Sequence, residues 1–196
     1  MKSKPIKTAA ILLLLLLSGC GGSRKLIENA TPLGWVPFSS SDLAPPAEDW
    51  DRTMLRELEN SGGFLMVPVD TLPAFPDLAR LQNLADSSFA WIVTGRLISE
   101  NTLVKPGWRI PFLFYSPVTI HRLKLEFRLF NTAKNNWEAV EELTVEEGEK
   151  GDWQLLDYDP ADPSLQPDAV ELALLRQKVY EKAALKLTDL LLENIN

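Results

Sequence analysis

The fold is decided by the stretch Arg122-Leu123-Lys124-Leu125-Glu126-Phe127-Arg128-Leu129. Its apolar residues occupy every second position and charged residues fill the positions between, which is the pattern of a β-strand with one buried and one solvent-facing side. Residues 89–98 come earlier in the chain and are apolar in both phases, as expected for a central strand covered on two faces. These two stretches predict the middle of a sheet.

Weaker patterns supply the other elements. Further strands are predicted at four apolar or alternating runs: residues 31–38, 64–69, 109–115 and 137–145. Apolar residues at helical spacing predict three helices: residues 47–60, a segment that begins at Pro76, and residues 168–193. We therefore expect an α+β fold: a two-layer sandwich of a mostly antiparallel sheet with two shorter helices and one long C-terminal helix.

The first nineteen residues have the parts of an export signal. Three lysines precede an uncharged apolar run over 9–17, and the run ends in Leu17-Ser18-Gly19-Cys20. The run is too short for a membrane-spanning helix, which needs about twenty residues. Its end resembles the lipobox of bacterial lipoproteins, which are cleaved before an acylated cysteine. We expect Cys20, the only cysteine of the chain, to carry the lipid.

This resemblance sets the expected domain organisation. Residues 1–19 are the signal peptide, residues 20–30 are the acylated cysteine and a short tether, and residues 31–196 form a single periplasmic α+β domain. Gly21 follows the cysteine where an Asp would favour retention at the inner membrane, so the resemblance implies anchoring in the outer membrane. Without the signal, 17 basic and 27 acidic residues remain. This balance argues against nucleic acid as a partner.

Three short segments carry a second resemblance. They are Val36-Pro37-Phe38-Ser39, Leu55-Arg56-Glu57-Leu58 with the following Gly63-Phe64, and Ala90-Trp91-Ile92-Val93-Thr94-Gly95-Arg96. With the order of elements, they resemble a group of envelope proteins that includes the amino-terminal domain of TolB and the lipoproteins of curli secretion and Pel polysaccharide export. Penicillin-binding-protein activator lipoproteins belong to the same group. The resemblance implies the fold above and a place in an envelope complex.

Two considerations choose among these relatives. A curli-type channel needs each subunit to donate a pair of strands of about nine to eleven residues, and the sequence patterns predict no spare pair. A synthase activator has to reach the peptidoglycan through a long tether, whereas this tether has about ten residues. We therefore favour an accessory or assembly subunit of an export machine for polysaccharide or protein, working as a homo-oligomeric ring. The alternative is a regulator that binds and activates a peptidoglycan synthase.

The residues that carry chemistry are few. His121 is the only histidine, and we expect it to be structural or to lie at the surface. One histidine and one acylated cysteine cannot form a nitrogen and sulfur metal site. Asp157 to Asp162 contains several acids but lacks the Gly and Glu of a calcium loop, so a turn is the better interpretation. We therefore expect no enzyme activity, no catalytic residue, no metal and no cofactor.

Charge is distributed unevenly along the chain. Residues 138–162 contain ten acidic residues and one basic residue, whereas residues 105–134 contain six basic residues and one acidic residue. Opposite charges on two parts of one surface can pair neighbouring subunits or attract a charged polymer. The candidate polymer or subunit interface consists of Glu141, Glu142, Glu146, Glu147, Arg122, Lys124 and Arg128.

Trp108 is a candidate membrane contact. It follows Lys105, Pro106 and Gly107, which predict a turn between strands, and aromatic residues at an exposed tip settle at membrane interfaces. The alternative is that Trp108 folds back onto the sheet. The expected partners are thus the membrane, through the lipid on Cys20, and the proteins of an envelope complex.

Overall fold

The computed structural model describes residues 30–41, 48–61, 63–83, 89–110, 113–155, 159, 162 and 165–195. Cys20, the tether and the signal peptide lie outside the described residues, as do Asp157 and Tyr158. The strands are β1 (Thr31–Trp35), β2 (Ser39–Ser40), β3 (Phe64–Pro68), β4 (Trp91–Ile110), β5 (Phe114–Asn131), β6 (Asn136–Lys150) and β7 (Gln154–Leu155). The helices are α1 (Glu48–Ser61), α2 (Leu78–Gln82) and α3 (Ala169–Ile195).

The strands form one mixed sheet with the order β3-β1-β4-β5-β6, in which β2 pairs with β4 and β7 pairs with β5. The three short strands that precede β4 run parallel to their neighbours. The pairs of β5 with β4, β6 and β7 are antiparallel. These antiparallel pairs contain most of the paired residues, so the α+β class with a mostly antiparallel sheet and a long C-terminal helix is confirmed.

One face of the sheet is covered by α1 and α3. Alternation places Leu123, Leu125, Phe127 and Leu129 on that face, where they are buried with Trp50, Met54 and Leu58 of α1 and with the apolar side of α3. The helix α3 begins where the sequence predicts, because the Asp168 carboxylate accepts hydrogen bonds from the backbone N–H groups of Val170 and Glu171 at 2.8 Å. The two layers of the sandwich meet at this interface.

The short helix α2 lies on the opposite face. Leu81 of α2 is buried with Val36, Ile92 and Phe130 in a second, smaller cluster. Ile92 and Phe130 pair across β4 and β5 one position away from Val93 and Leu129 of the main core, and adjacent residues of a strand point to opposite faces. The helices therefore cover both faces of the sheet near the start of β4.

The structure corrects the predicted strand bounds. Residues 109–115 are not a strand of their own, because they span the end of β4, the connection and the start of β5. Trp108 does not lie in a turn but within β4, at a register irregularity between Pro106 and Arg109. Pro106 and Gly107 indicated a break, yet pairing with β5 continues past them. β4 and β5 are longer than the patterns predict, with 20 and 18 residues, and both are flanked by other strands of the sheet.

Candidate functional site

A cavity of about 710 Å³ lies between α1 and α3 and has the middle of β4 and β5 as its floor. One face of each helix contributes to the wall, because the lining residues of both helices follow one another at intervals of one, three or four positions. The polar residues that define its character are Arg52, Arg56, Glu100, Thr102, His121, Arg176 and Tyr180.

A bulge in β4 turns two of these side chains toward the helices. The register of β4 against β5 shifts between Leu97 and Ser99. One extra residue exchanges the faces of all the residues that follow it, so Glu100 and Thr102 take the side that Leu97 occupies before the bulge. Thr102 then lies directly opposite His121 of β5. Without this bulge, Glu100 and Thr102 would point away from the cavity.

Glu100 is the centre of a buried polar network. Its Oε1 accepts a hydrogen bond from His121 Nε2 at 2.9 Å and lies 2.8 Å from Arg176 Nε. Its Oε2 accepts hydrogen bonds from the Tyr180 hydroxyl at 2.7 Å and from Arg176 Nη2 at 3.3 Å. The side chains of Glu100 and His121 are 7% and 3% exposed. The network joins β4, β5 and α3.

The protonation states follow from these contacts. Burial raises the pKa of Glu100, but hydrogen bonds from His121 and Tyr180 and the charge of Arg176 outweigh burial and hold that pKa below its ordinary value. Burial and the bond to Glu100 raise the pKa of Tyr180. Glu100 is therefore ionised at neutral pH and can only accept, so His121 Nε2 carries a proton. His121 Nδ1 lies 2.9 Å from Thr102 Oγ1 and is the acceptor in a neutral ring.

The network fixes polar groups at the floor of the cavity. Arg176 is held by its ion pair with Glu100, by a hydrogen bond from Nη2 to Glu100 Oε2, and by a hydrogen bond from Nε to the Tyr180 hydroxyl at 3.3 Å. The Thr102 hydroxyl lines the same cavity beside it. The cavity can therefore offer a positioned cation and a hydroxyl group to a molecule that enters it.

The predicted interface residues lie mainly on the face of the sheet opposite α1 and α3. Arg122 pairs with Glu146 at 2.6 Å, Lys124 with Glu142 at 2.7 Å, and Arg128 with Glu126 at 2.6 Å. We call these three ion pairs the charge ladder. The basic and acidic segments are thus neighbours in the sheet, and the pairs of Arg122 and Lys124 join the two segments within one chain.

Two of the predicted acids stand apart from the charge ladder. Glu147 pairs with Lys182 of α3 on the helix-covered face. Glu141 is exposed on β6 and has no ion pair with any part of the chain that the structure describes. A role of these seven residues in binding a polymer or another subunit stays a prediction.

The distal ends of β4 and β5 form an exposed apolar tip, together with β7. We define the arm tip as Trp108, Ile110, Leu113, Phe114, Trp153 and Leu155. Their exposed fractions range from 39% for Ile110 and Phe114 to 70% for Leu155. The rings of Trp108 and Trp153 meet edge to face with centroids 5.5 Å apart. Trp108 therefore folds onto another exposed ring, and membrane contact by Trp108 stays a prediction.

Most of the cavity does not follow from the sequence. The prediction for His121 was a structural or surface residue, and the structure places it in the buried network. The sequence patterns do not single out Glu100, Arg176 and Tyr180, because Glu100 and His121 are 21 positions apart and Tyr180 lies on another element. A usable signal was the pair Arg176 and Tyr180, four positions apart in a strong helix, beside apolar residues.

Comparisons with solved structures give matches at low identity. Protein XCC0632 from Xanthomonas campestris matches with a TM-score of 0.50 and 10% identity, over 84% of this chain and 85% of that chain. TolB from Acinetobacter baumannii matches with a TM-score of 0.41 and 13% identity, over 86% of this chain and 29% of TolB. PelC from Paraburkholderia phytofirmans, which forms a dodecamer, matches with a TM-score of 0.38 and 8% identity, over 78% and 84%.

These matches concern the fold alone. Structures similar to this chain include part of TolB and PelC, two proteins of the group that the sequence resembles, and no single family is established among them. No protein-family model matches the chain, and no curated protein does.

None of the helices among the described residues is both long enough and apolar enough to cross a membrane. Within the same residues, no group of three or more His, Cys, Asp or Glu side chains is placed to hold a metal ion.

Proposed function

We propose that this protein is a non-enzymatic lipoprotein that is anchored in the outer membrane through Cys20 and acts as an accessory or assembly subunit of an envelope export machine. Its periplasmic domain stays close to the membrane, and the arm tip holds it against the lipid surface. The exposed arm tip is the observation that carries this proposal. Six apolar side chains at one end of a sheet, two of them tryptophans, mark a surface that is covered by something outside the chain.

Two features of the tip favour a lipid surface as what covers it. Trp108 and Trp153 are the residue type that is enriched at membrane interfaces. Lys105, Arg109 and Lys150 are exposed beside them, although the whole chain has a net charge of −7. Basic residues near an aromatic tip are attracted by anionic lipid headgroups, at about 1 kcal/mol for each Lys or Arg close to the surface.

Strand lengths allow the anchor and the tip to reach the same membrane. The start of β1 lies beside the start of β4, so the tether joins the domain at the end of β4 that is remote from the tip. The 20 residues of β4 span roughly 65 Å at 3.3 Å per residue. A tether of about ten residues reaches about 35 Å. The domain can therefore lie inclined, with its tether at one end and its tip at the other.

Depth-dependent quenching of tryptophan fluorescence tests this proposal. We would reconstitute the acylated full chain into vesicles of phosphatidylcholine and phosphatidylglycerol that contain brominated acyl chains. We expect quenching that is largely lost in the double variant Trp108→Ser and Trp153→Ser. The matched control is Trp137→Phe, since Trp137 packs against Phe130 away from the tip. Flotation with the vesicles but no quenching would contradict membrane contact by the tip, and failure to float would contradict the lipid anchor.

Partner capture tests the export role against the alternative. The full chain would be cross-linked in intact envelopes, and its partners would be identified by mass spectrometry. Components of a polysaccharide or protein exporter support the proposal, and peptidoglycan synthases would replace it with the regulator. Light scattering of the full chain in detergent, over a range of concentration and salt, tests the homo-oligomer. A closed oligomer supports the ring, and a monomer at every concentration contradicts it.

A further inference from the structure

We propose that the cavity between α1 and α3 is a binding site for a small ligand that carries an oxyanion, a carboxylate or a phosphate group. This site is independent of the membrane anchor and of the arm tip. The proposal rests on three arginines that line one cavity, on a buried network that fixes one of them, and on the size of the space.

Arg176 is the fixed arginine. Its Nε lies 2.8 Å from Glu100 Oε1 and donates a hydrogen bond to the Tyr180 hydroxyl, and its Nη2 donates to Glu100 Oε2. Its side chain remains 32% exposed, and the residue lines the cavity. A guanidinium has five N–H donors, so the contacts with Glu100 and Tyr180 leave others for a ligand. Because the network sets its orientation before a ligand enters, little conformational entropy is lost on binding.

Arg52 and Arg56 of α1 line the same cavity and are weakly engaged. Arg52 lies 3.7 Å from Asp49 with its side chain 80% exposed. Arg56 pairs with Glu57 and Glu181 with its side chain 50% exposed. Ion pairs this exposed contribute about 0–1 kcal/mol, so an anion that enters the cavity can displace the acidic partners at low cost.

Size and charge agree with an anionic molecule of moderate size. The volume of about 710 Å³ is within the range of about 300–1,000 Å³ for small-molecule sites. Three arginines and two acids, Asp49 and Glu100, are among the lining residues, and the two acids that pair with Arg56 lie outside this lining. Thr102 donates to His121 when the ring is neutral, so its oxygen can accept a hydrogen bond from a ligand hydroxyl.

The single histidine supplies a probe for this site. His121 is the only histidine of the chain and lies at the floor of the cavity, so the NMR signals of one imidazole report on its occupancy. The full chain in detergent micelles would be titrated with sodium glucuronate, with inorganic phosphate, and with glucose as the uncharged counterpart of glucuronate. Sodium chloride would keep the ionic strength constant.

We expect the chemical shifts of His121 to change and saturate with at least one of the two anions, with a Kd near or below about 1 mM. Glucose should leave these chemical shifts unchanged. Saturation by glucuronate alone assigns a carboxylate ligand, and saturation by phosphate alone assigns a phosphate ligand. The double variant Arg52→Gln and Arg56→Gln should weaken binding about tenfold or more. Arg80→Gln is the matched control, because Arg80 is an exposed arginine paired with Asp77 on α2.

Two results would overturn the proposal. One is the absence of a saturable shift with either anion. The other is an equal loss of affinity in the Arg80 variant and in the Arg52 and Arg56 double variant. Equal losses would mean that anion binding depends on the overall surface charge and not on the arginines of the cavity. Because both variants change exposed side chains, their folding can be verified from the unchanged signals of the core methyl groups.

Discussion

The first and second halves of β4 differ in surroundings although they belong to one strand. Val93 and Leu97 are fully buried under α1 and α3, whereas Leu103 is 46% and Trp108 63% exposed. The reason is geometric. The 27 residues of α3 span roughly 40 Å at 1.5 Å per residue, but β4 spans roughly 65 Å. The helix layer ends before the strands do. The same sheet is therefore part of the core at one end and exposed to solvent at the other.

The largest expected difference between the two regions comes from removing one phenyl ring from each. Phe127→Ala removes a fully buried ring from the main core and should lower the free energy of unfolding by about 3–5 kcal/mol. Phe114→Ala removes a ring of the arm tip that is already 39% exposed and should cost only about 1–2 kcal/mol. Urea unfolding of both variants measures the difference. Equal losses would mean that the arm tip is part of the core.

Two glycines, Gly95 and Gly148, give a second and smaller contrast, because they differ in the space available for a Cβ atom. A Cβ at Gly95 would overlap the carbonyl oxygen of Glu126 and the ring of Phe38, while a Cβ at Gly148 would meet nothing closer than 3.4 Å. We expect Gly95→Ala to cost about 1–3 kcal/mol through overpacking, and Gly148→Ala to stay within about 0.5 kcal/mol of the wild type. Thermal unfolding measures both. A tolerated Gly95→Ala would show that both the Phe38 ring and the β5 backbone at Glu126 can move away from this position.

The sequence predicted the covered end of the sheet better than the exposed end. Hydrophobic periodicity reflects burial. Burial on one face gives the strict alternation over 122–129, and burial on two faces gives the continuous apolar run over 89–98. Residues 103–110 are exposed or only partly buried, so their pattern carries no such constraint, and Pro106 with Gly107 indicated a turn where β4 continues. The cavity was not predictable for another reason: its network depends on a one-residue bulge after Leu97, which no local pattern reveals.

Asp51 provides a pH-dependent test of the covered end. Burial raises the pKa of Asp51 from 3.8 to about 7, although the hydrogen bond from the Phe38 N–H lowers it in part. The folded chain therefore retains a proton that the unfolded chain releases, so stability falls as the pH rises from 3.8 to about 7. Above that range Asp51 is a buried charge. Asp51→Asn should stabilise the fold at pH 8 by about 1–2 kcal/mol.

Thermal melts at pH 8 and pH 4 test this sign. The variant should unfold a few degrees above the wild type at pH 8, since 1 kcal/mol corresponds to about 2–4 °C in a domain of this size. The difference should become much smaller at pH 4, where the wild-type carboxyl is protonated in the folded state and somewhat less than half protonated in the unfolded state, whose pKa is 3.8. Asp49→Asn on the same helix is the control, because the Asp49 side chain is 64% exposed. A pH-independent gain would assign the effect to something other than titration.

A change in the charge ladder should have the smallest effect on stability. It also tests whether these charges pair only within one chain or also with a neighbouring subunit. Lys124 and Glu142 are 38% and 57% exposed, and a pair this exposed contributes about 0–1 kcal/mol that salt screens. Lys124→Gln should therefore lower the free energy of unfolding by less than about 1 kcal/mol, with no further loss in high salt. Light scattering of the same variant is the second measurement. If the ladder only neutralises charge within one chain, the mass stays that of the wild type, whereas a smaller assembly in the variant would show that Lys124 also pairs with a neighbouring subunit.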